Sequence, residues 1–437
     1  MSAILDARTA NRTTMTAADW KLALILAAVN FTHMVDFVII MPLGQRMMTE
    51  FGITPNQFGH IVSAYGYAAA IASILASFVI DRFDRKAVLA VMYTGFTAST
   101  LYCGIANTYE TMLFSRALAG IFGGLCAATI MAVIGDAFPP QLRGRATGAV
   151  MSAFAVASIA GLPIGLMIAG EYGRGAPFVT LACVSLLVLI GMLVWLPSFR
   201  GHIGTARRSP MSDFADVIAE PRHWWAFAFT MALVLGTFTV ASFIGPYLIA
   251  VNGWSENHLA VIYLVAGLCT LIGMNVIGKI ADRVGKRPVF LVLASACIGM
   301  SILITNLPAV PLAVAAIATA FFMLTAAGRM VPAQAMLIGV AAPSHRGAFM
   351  SLNTAVQQLA TGLAPMIAGA ILGDAADGIR NHFWLVGLVA TASAIVSLVL
   401  SGFIHAPKRV EPTITPSSRL MLAEALSEAE PDVIASH

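Results

Sequence analysis

The chain of 437 residues is short of charge: only 11% of it is Asp, Glu, Lys or Arg, against roughly 25% in soluble domains. A water-facing surface of ordinary composition is therefore excluded for most of its length. Cysteine is scarce as well, and Cys103, Cys126, Cys183, Cys269 and Cys297 lie singly inside apolar runs. That scatter offers neither a disulfide framework nor the spacing of a metal site, so the thiols read as packing residues. There is no Walker loop, which argues against an ATP-driven machine. The serines lack a histidine and an acid at readable spacing, so no enzyme constellation emerges and no cofactor is expected. The net charge of +4 is spread over short loops, with no basic stripe that would hold nucleic acid.

What the chain has in abundance is apolar sequence: 59% of residues are hydrophobic and mean hydropathy is +0.84. A membrane span needs about 20 apolar residues. Counting that way predicts twelve, at residues 20–44, 57–80, 87–106, 110–136, 145–169 and 175–197, then 223–251, 256–280, 288–306, 309–340, 347–373 and 380–404. The expected organisation is an all-α integral membrane protein. An N-terminal tail (1–19) precedes a six-helix bundle (20–197), a polar linker (198–222), a second bundle (223–404) and a C-terminal tail (405–437). The first tail is polar, carries Arg8 and Arg12, and lacks the apolar core of a cleavable signal. In the linker, Ser212 to Ile218 has the pattern of a short helix lying on a membrane surface. The acidic tail from 405 is expected to be disordered.

Basic residues set the expected orientation. With both termini inside, the cytoplasmic loops hold fourteen: Arg82, Arg85, Lys86, Arg143, Arg145 and Arg346, the linker residues Arg200, Arg207, Arg208 and Arg222, and Lys279, Arg283, Lys286 and Arg287. The opposite loops hold only three, Arg46, Arg174 and Arg380. A cell inner membrane with both termini cytoplasmic follows as the expectation.

The chain also repeats itself. Ser77-Phe78-Val79-Ile80-Asp81-Arg82-Phe83-Asp84-Arg85-Lys86 is echoed by Gly278-Lys279-Ile280-Ala281-Asp282-Arg283-Val284-Gly285-Lys286-Arg287. Both copies place an acid fifth and an arginine sixth, end in basic residues and lead into a fresh apolar run. A second echo pairs Pro139 to Arg145 with Pro343 to Gly347. The acids are about 201 residues apart and Arg143 and Arg346 about 203, so the halves align almost without gaps. Such duplication implies two related helical bundles.

This loop resembles the signature of the major facilitator superfamily, G-x-x-x-D-R-x-G-R-[RK]. The second copy supplies Gly278, Asp282, Arg283, Gly285, Lys286 and Arg287; the first has Ser77 and Asp84 in place of the glycines. A small first residue suits close helix approach. The second glycine suits a turn at positive φ, which aspartate tolerates better than most residues. The resemblance implies two pseudo-symmetric six-helix bundles that rock about a central site. It also implies that Asp81, Arg82, Arg85, Gly278, Asp282, Arg283, Gly285 and Arg287 gate that motion.

Two further stretches carry the resemblance. In span 4, Arg116 is followed by Gly120, Gly123 and Gly124 at helical spacing, similar to a family motif tied to proton coupling. The competing reading is a packing groove, with Arg116 snorkelling to an interface. In span 5, Gly161-Leu162-Pro163-Ile164-Gly165 resembles the G-P-x-x-G-G antiporter motif in the variant form G-x-P-x-G, which the family associates with exporters. A simple packing kink is the competing reading.

Polar residues inside the spans complete the candidates. Asn30, His33 and Asp36 stand three residues apart on one helical face of span 1. Asp36 lies roughly 24 Å along that helix from Trp20. An ionised aspartate there costs about 2.5–3.5 kcal/mol, so Asp36 is the expected proton carrier, with His33 and Arg116 as partners. A structural hydrogen bond is the competing role for both Asp36 and His33. Arg329, flanked by Gly328 and Pro332 in span 10, is expected to pair with Asp36, to attract an anionic substrate or to anchor a carbonyl. Asn353, Gln357 and Thr361 form a polar stripe on span 11 beside Gln358, facing either a cavity or another helix. Asn30, Arg329, Asn353 and Gln357 are the substrate-binding candidates, and Gly120, Gly124, Gly161, Pro163 and Gly165 the helix-packing ones.

The expected function is secondary active transport, a proton-coupled antiporter exporting a drug-like compound, sugar or metabolite. The chain is most similar in these features to bacterial twelve-span drug:proton antiporters and sugar-efflux permeases. The alternative within transport is a proton symporter or facilitator importing a metabolite. The alternative from another class is a membrane receptor that keeps the fold without transport. The expected partners are a small-molecule substrate, protons and the lipid bilayer, with the chain acting as a monomer.

Overall fold

Twelve helices long and apolar enough to cross a membrane run through the computed structural model, which describes residues 14–79, 82–199, 210–341, 345–375 and 377–404. They are spans 1 to 6 at Ala17–Ile39, Pro55–Ala76, Arg85–Ile105, Tyr109–Ala137, Gln141–Tyr172 and Ala176–Trp195. Spans 7 to 12 follow at Pro221–Asn252, Glu256–Val284, Lys286–Thr305, Leu312–Ile338, Arg346–Leu372 and Gly378–Phe403. The described residues contain no strand. Helices satisfy their own backbone hydrogen bonds, as a segment in hydrocarbon must. Their outward faces carry strongly exposed apolar side chains, among them Leu24, Ile71, Val91, Leu187, Ile272 and Val292.

Because the number of spans is even, the chain enters span 1 and leaves span 12 at one end of the bundle, the termini end. The loops after odd-numbered spans lie at the far end. Span 1 opens on a capping box in which Thr16 and Asp19 bond each other's backbone amides, and span 4 on a similar pair, Thr108 and Thr111. Span 1 stops at Ile39 rather than running to 44, since Pro42 cannot continue the ladder. A short helix, Gly44–Phe51, follows at the far end and closes on Gly52 at φ 64°. The linker contains a helix at Pro210–Ala219. Its Val217 is fully buried in a cluster with Phe227 and Phe349, so the helix docks on the second half as well as facing outward. The tails 1–13 and 405–437 lie outside the described residues.

The two halves use the same pairings. Span 1 packs on span 5, span 2 on span 4, and span 3 on spans 4 and 6. Six spans later, span 7 packs on span 11, span 8 on span 10, and span 9 on spans 10 and 12. The halves meet along two seams, spans 2 and 11 and spans 5 and 8, which the same six-span shift exchanges. These are two pseudo-symmetric six-helix bundles.

Small residues let the seams close. A Cβ built on Gly66 would stand 2.5 Å from Gly362 N, and one on Gly369 3.0 Å from Pro55 O. At the other seam span 5 loosens into a π turn at Ala157–Gly161, just before Pro163, and Gly267 of span 8 packs on Ser158 O there. Polar joins between the halves gather at the far end. Asn56 N donates to Gly373 O at 3.3 Å, Thr54 Oγ1 to Asp374 Oδ1 at 2.8 Å, and Arg46 Nη1 lies 3.5 Å from Glu256 Oε1. Phe58 meets Phe243 edge-on with centroids 5.5 Å apart. The far end is closed in this conformation.

The two signature loops differ in construction. Gly285 adopts φ 107°, the conformation its place in the motif demands. Asp84, its counterpart, instead has φ −57° and caps span 3, so the expected left-handed aspartate is replaced by a different turn. Its carboxylate accepts from Lys86 N at 3.1 Å, from Phe199 N at 2.9 Å and from the Ser198 hydroxyl. Gly278 does not make the expected close helix approach: a Cβ there would meet nothing within 4 Å. Asp81 lies outside the described residues.

Candidate functional site

Span 1 brings three buried polar side chains to three different neighbours. Asn30 Nδ2 donates to Val150 O of span 5 at 3.0 Å. His33 Nε2 shares a 2.7 Å hydrogen bond with the Tyr65 hydroxyl of span 2. Asp36 Oδ2 receives Arg116 Nη1 of span 4 at 2.8 Å, and its Oδ1 accepts from Thr100 Oγ1 of span 3 at 3.2 Å. Arg116 Nη1 also reaches the Asp36 carbonyl at 3.2 Å. Asp36 and Arg116 are both 0% exposed, so Arg116 turns into the bundle and does not snorkel.

Tyr65 joins these groups into one cluster. Its ring lies 4.7 Å from the Arg116 guanidinium carbon, a cation–π contact, and 5.3 Å from the Phe37 ring. Its hydroxyl holds His33. Glycines make this possible, because a Cβ on Gly120 would overlap the Tyr65 backbone and one on Gly123 would come 2.7 Å from the His33 ring. Gly124 packs on Ala69, while Gly161 and Gly165 of span 5 pack on Val35 and Ile39 of span 1.

A buried ion pair keeps its charges only when its geometry and side bonds offset the loss of water. Here Thr100 and the Tyr65 ring supply that support. The cluster is nonetheless unsaturated: Arg116 Nε and Nη2 and His33 Nδ1 are buried without hydrogen-bond partners. Protonating Asp36 would remove the charge that holds Arg116 Nη1 and leave the guanidinium free to turn. The arginine itself keeps its proton in proteins.

The remaining candidates are placed as follows. Arg329, 0% exposed, donates from Nη2 to Leu233 O at 3.1 Å and to Thr237 Oγ1 at 2.9 Å, both on span 7. Of its three expected roles, the structure gives it the carbonyl anchor; Asp36 is taken by Arg116. Each half thus has a buried arginine reaching from its fourth span to its first, but only the N-terminal half meets it with a carboxylate. Asn353 Oδ1 accepts from Thr230 at 2.7 Å, joining spans 11 and 7. Gln357 and Gln358 are half-buried.

Among the loop residues, Arg85 is 2% exposed and pairs with Asp136 at 3.0 Å, tying span 3 to span 4 within one half. Arg82, Asp282, Arg283 and Arg287 are exposed, and Asp282 has no ion-pair partner among the described residues. His345 Nδ1 lies 3.9 Å from Asp216 Oδ2, linking the linker helix to the start of span 11.

Tyr65 and Thr100 are missing from the sequence-based candidates. A signal for the first existed: His60, Ser63, Tyr65 and Tyr67 make the opening of span 2 more polar than a lipid-facing helix needs. Thr100 left none, since a threonine inside a span usually bonds its own helix.

The family model described as Major Facilitator Superfamily matches residues 26–330. YceJ of Bacillus subtilis (strain 168), described as an uncharacterized MFS-type transporter, is 27% identical over 373 residues, 85% of this chain and 93% of its own. A crystal structure of a bacterial homolog of the human lysosomal transporter Spinster, inward-facing and unoccupied, superposes with TM-score 0.70 at 17% identity. It covers 90% of this chain and 98% of its own. The nucleoside transporter NupG gives TM-score 0.72 at 15% identity, over 89% and 100% of the two chains. At such identities the likeness to solved structures is one of fold.

Proposed function

Since this chain belongs to the major facilitator superfamily, we propose that it is a proton-coupled antiporter exporting a small organic molecule by alternating access. The carrying observation is the Asp36–Arg116 pair: a 2.8 Å contact wholly shielded from solvent, with Tyr65 connecting it to His33. An acid so placed has two states. Ionised, it holds span 4 to span 1 through Arg116; protonated, it releases that hold. Such a switch converts a proton's arrival into a change of helix contacts. Asp36 is the proton carrier in this reading, Arg116 its counter-charge, and His33 the relay on the far side of Tyr65.

The seams supply the moving parts. The joins at the far end must part when that end opens, and the exposed loop residues Arg82, Asp282, Arg283 and Arg287 would engage when the termini end closes. The resemblance of Gly161 to Gly165 to the exporter-associated antiporter motif supports the exporter reading, and the π turn and proline there loosen span 5 where it packs against span 8. Fourteen basic residues on the termini side against three opposite support cytoplasmic termini in a cell inner membrane. Drug-like compounds, sugars and metabolites are the substrate classes this reading covers, and the working unit is a monomer.

Asp36→Asn tests it. The amide keeps shape and hydrogen bonding but cannot titrate. In everted membrane vesicles the variant should lose gradient-driven uptake and substrate-induced proton release, while energy-independent exchange of substrate continues. Uphill transport with the wild-type pH dependence would remove Asp36 from this role and make His33 the leading carrier.

A further inference from the structure

A second polar cluster lies at the termini end, on elements that take no part in the Asp36 site. The linker helix Pro210–Ala219 carries Asp213 and Asp216. Three residues apart on a helix, the two carboxylates share one face. His345, the N-cap of span 11, meets that face. One ligand atom from each of the three, an imidazole nitrogen and two carboxylate oxygens, lies within 4.8 Å of the other two.

Packing holds the two elements together. Val217 and Phe214 of the linker helix are buried, and Val217 sits in one apolar cluster with Phe227 and Phe349. The Val217 carbonyl accepts from His223 Nδ1 at 2.8 Å, and the His223 ring lies 4.9 Å from that of Phe349. His345 is held from its own side, because its carbonyl accepts Phe349 N at 3.0 Å. Asp and His are short side chains, so the same contacts that dock the helix on span 11 set the spacing of the three polar groups.

His345 is the informative member. Its Nδ1 is buried and has no hydrogen-bond partner among the described residues. Asp216 Oδ2 lies 3.9 Å away, beyond the reach of a hydrogen bond. Zinc bonds imidazole nitrogen and carboxylate oxygen at about 2.0–2.2 Å, so two such atoms stand about 3.4 Å apart at the tetrahedral angle and about 4.2 Å apart at the widest. The observed gap falls between those limits. A place in the first turn of a helix accounts for Asp213. It does not account for a second carboxylate and an unbonded imidazole nitrogen beside it.

We propose that Asp213, Asp216 and His345 bind one zinc-type divalent cation, with water completing its coordination. The two carboxylates offset the charge, and the imidazole selects against hard ions such as Mg2+, which take oxygen ligands. The Asp216 and His345 side chains are 50% and 30% exposed, so the ion enters directly from the aqueous phase at the termini end. Once bound, it anchors the segment that joins the two halves to the start of span 11, one of the seam helices. The proposal stands independently of which ion drives transport.

The test uses the full chain in nanodiscs, stripped of metal with a chelator and titrated with Zn2+ in a calorimeter. The wild type should bind one ion more tightly than the variants do, and excess Mg2+ should not displace it. His345→Ala should weaken that binding at least about tenfold. Asp213→Asn, which keeps the side chain's shape and decides the matter if the alanine protein does not fold, should do the same. Zn2+ should also slow amide hydrogen exchange across Pro210–Ala219 in the wild type and leave it unchanged in both variants. Equal affinity in wild type and variants would overturn the proposal. So would displacement by Mg2+, or Zn2+ binding that leaves exchange in the linker helix as it was.

Discussion

Gly66→Ala should push the transporter out of its far-end-closed conformation. The added methyl would stand 2.5 Å from Gly362 N, 2.6 Å from Gly362 Cα and 3.0 Å from Gln358 O. All three are backbone atoms, so no side-chain rotation relieves the overlap. An ordinary contact for such a carbon begins at 3.4 Å, so spans 2 and 11 must separate by about 0.8–0.9 Å at this level. Overfilling a packed interface costs about 1–3 kcal/mol. The cost falls only on the state in which the two spans touch, and so moves the equilibrium about 5- to 150-fold toward the far-open state. Spin labels at the exposed positions Tyr172 and Asn306, one in each half at the far end, report the change by electron–electron resonance. The longer-distance population should become dominant. Gly362→Ala, whose Cβ would lie 2.9 Å from Tyr67 N, should act in the same direction, whereas Gly278→Ala, with open space around it, should do nothing. An unchanged distance distribution in folded, monodisperse Gly66→Ala would refute the claim that this seam must part.

Glu256→Gln removes the ion pair with Arg46, which is long at 3.5 Å and partly exposed. Pairs of this kind are worth about 0–1 kcal/mol, so the same spin-label pair should show at most about a fivefold shift, and a larger one would mean a stronger latch than the geometry implies. Asp84→Ala and Asp84→Gly both lose the bonds to Phe199 N and the Ser198 hydroxyl, and the alanine variant should be the less stable of the two by up to about 1 kcal/mol because glycine serves better than alanine at an N-cap; equal melting temperatures for the two would argue that the cap contributes nothing. For orientation, with the exposed native Cys183 replaced, Tyr172→Cys should react with membrane-impermeant maleimide. Met211→Cys should react only with permeant reagent, and the opposite pattern would invert the topology.

Much of this architecture can be read from the chain because lipid imposes a length rule. Twenty apolar residues in a row have few other uses, and two copies of a charged loop announce the repeat. The boundaries shifted where local chemistry intervened: Pro42 ended span 1 early and left room for the helix at Gly44–Phe51. Asp36 and Arg116 are conspicuous as lone charges in hydrophobic segments, yet their pairing is not, since eighty residues separate them and Arg329 was an equal candidate. Depth along antiparallel helices decides that choice, and a linear sequence does not display it. Tyr65 was hidden because an aromatic residue in a span ordinarily signals packing. Asn30 and Asn353 show the reverse case, polar residues whose bonds in this structure go to neighbouring helices.

The unequal treatment of the two buried arginines bears on the electrical side of the cycle. Arg329 has no carboxylate partner among the described residues and Arg116 has one, so the second half carries a fixed positive charge in its interior, while the first would alternate with the proposed protonation of Asp36. With Asp36 ionised the first half's pair is neutral; with Asp36 protonated it is a single cation. If Asp36 is the proton carrier proposed above, the two strokes of the cycle move different charges through the membrane field, where one elementary charge is worth about 2.3 kcal/mol per 100 mV. In that reading membrane voltage would act on the first half's pair in the stroke made with Asp36 protonated, and would leave that pair untouched in the return.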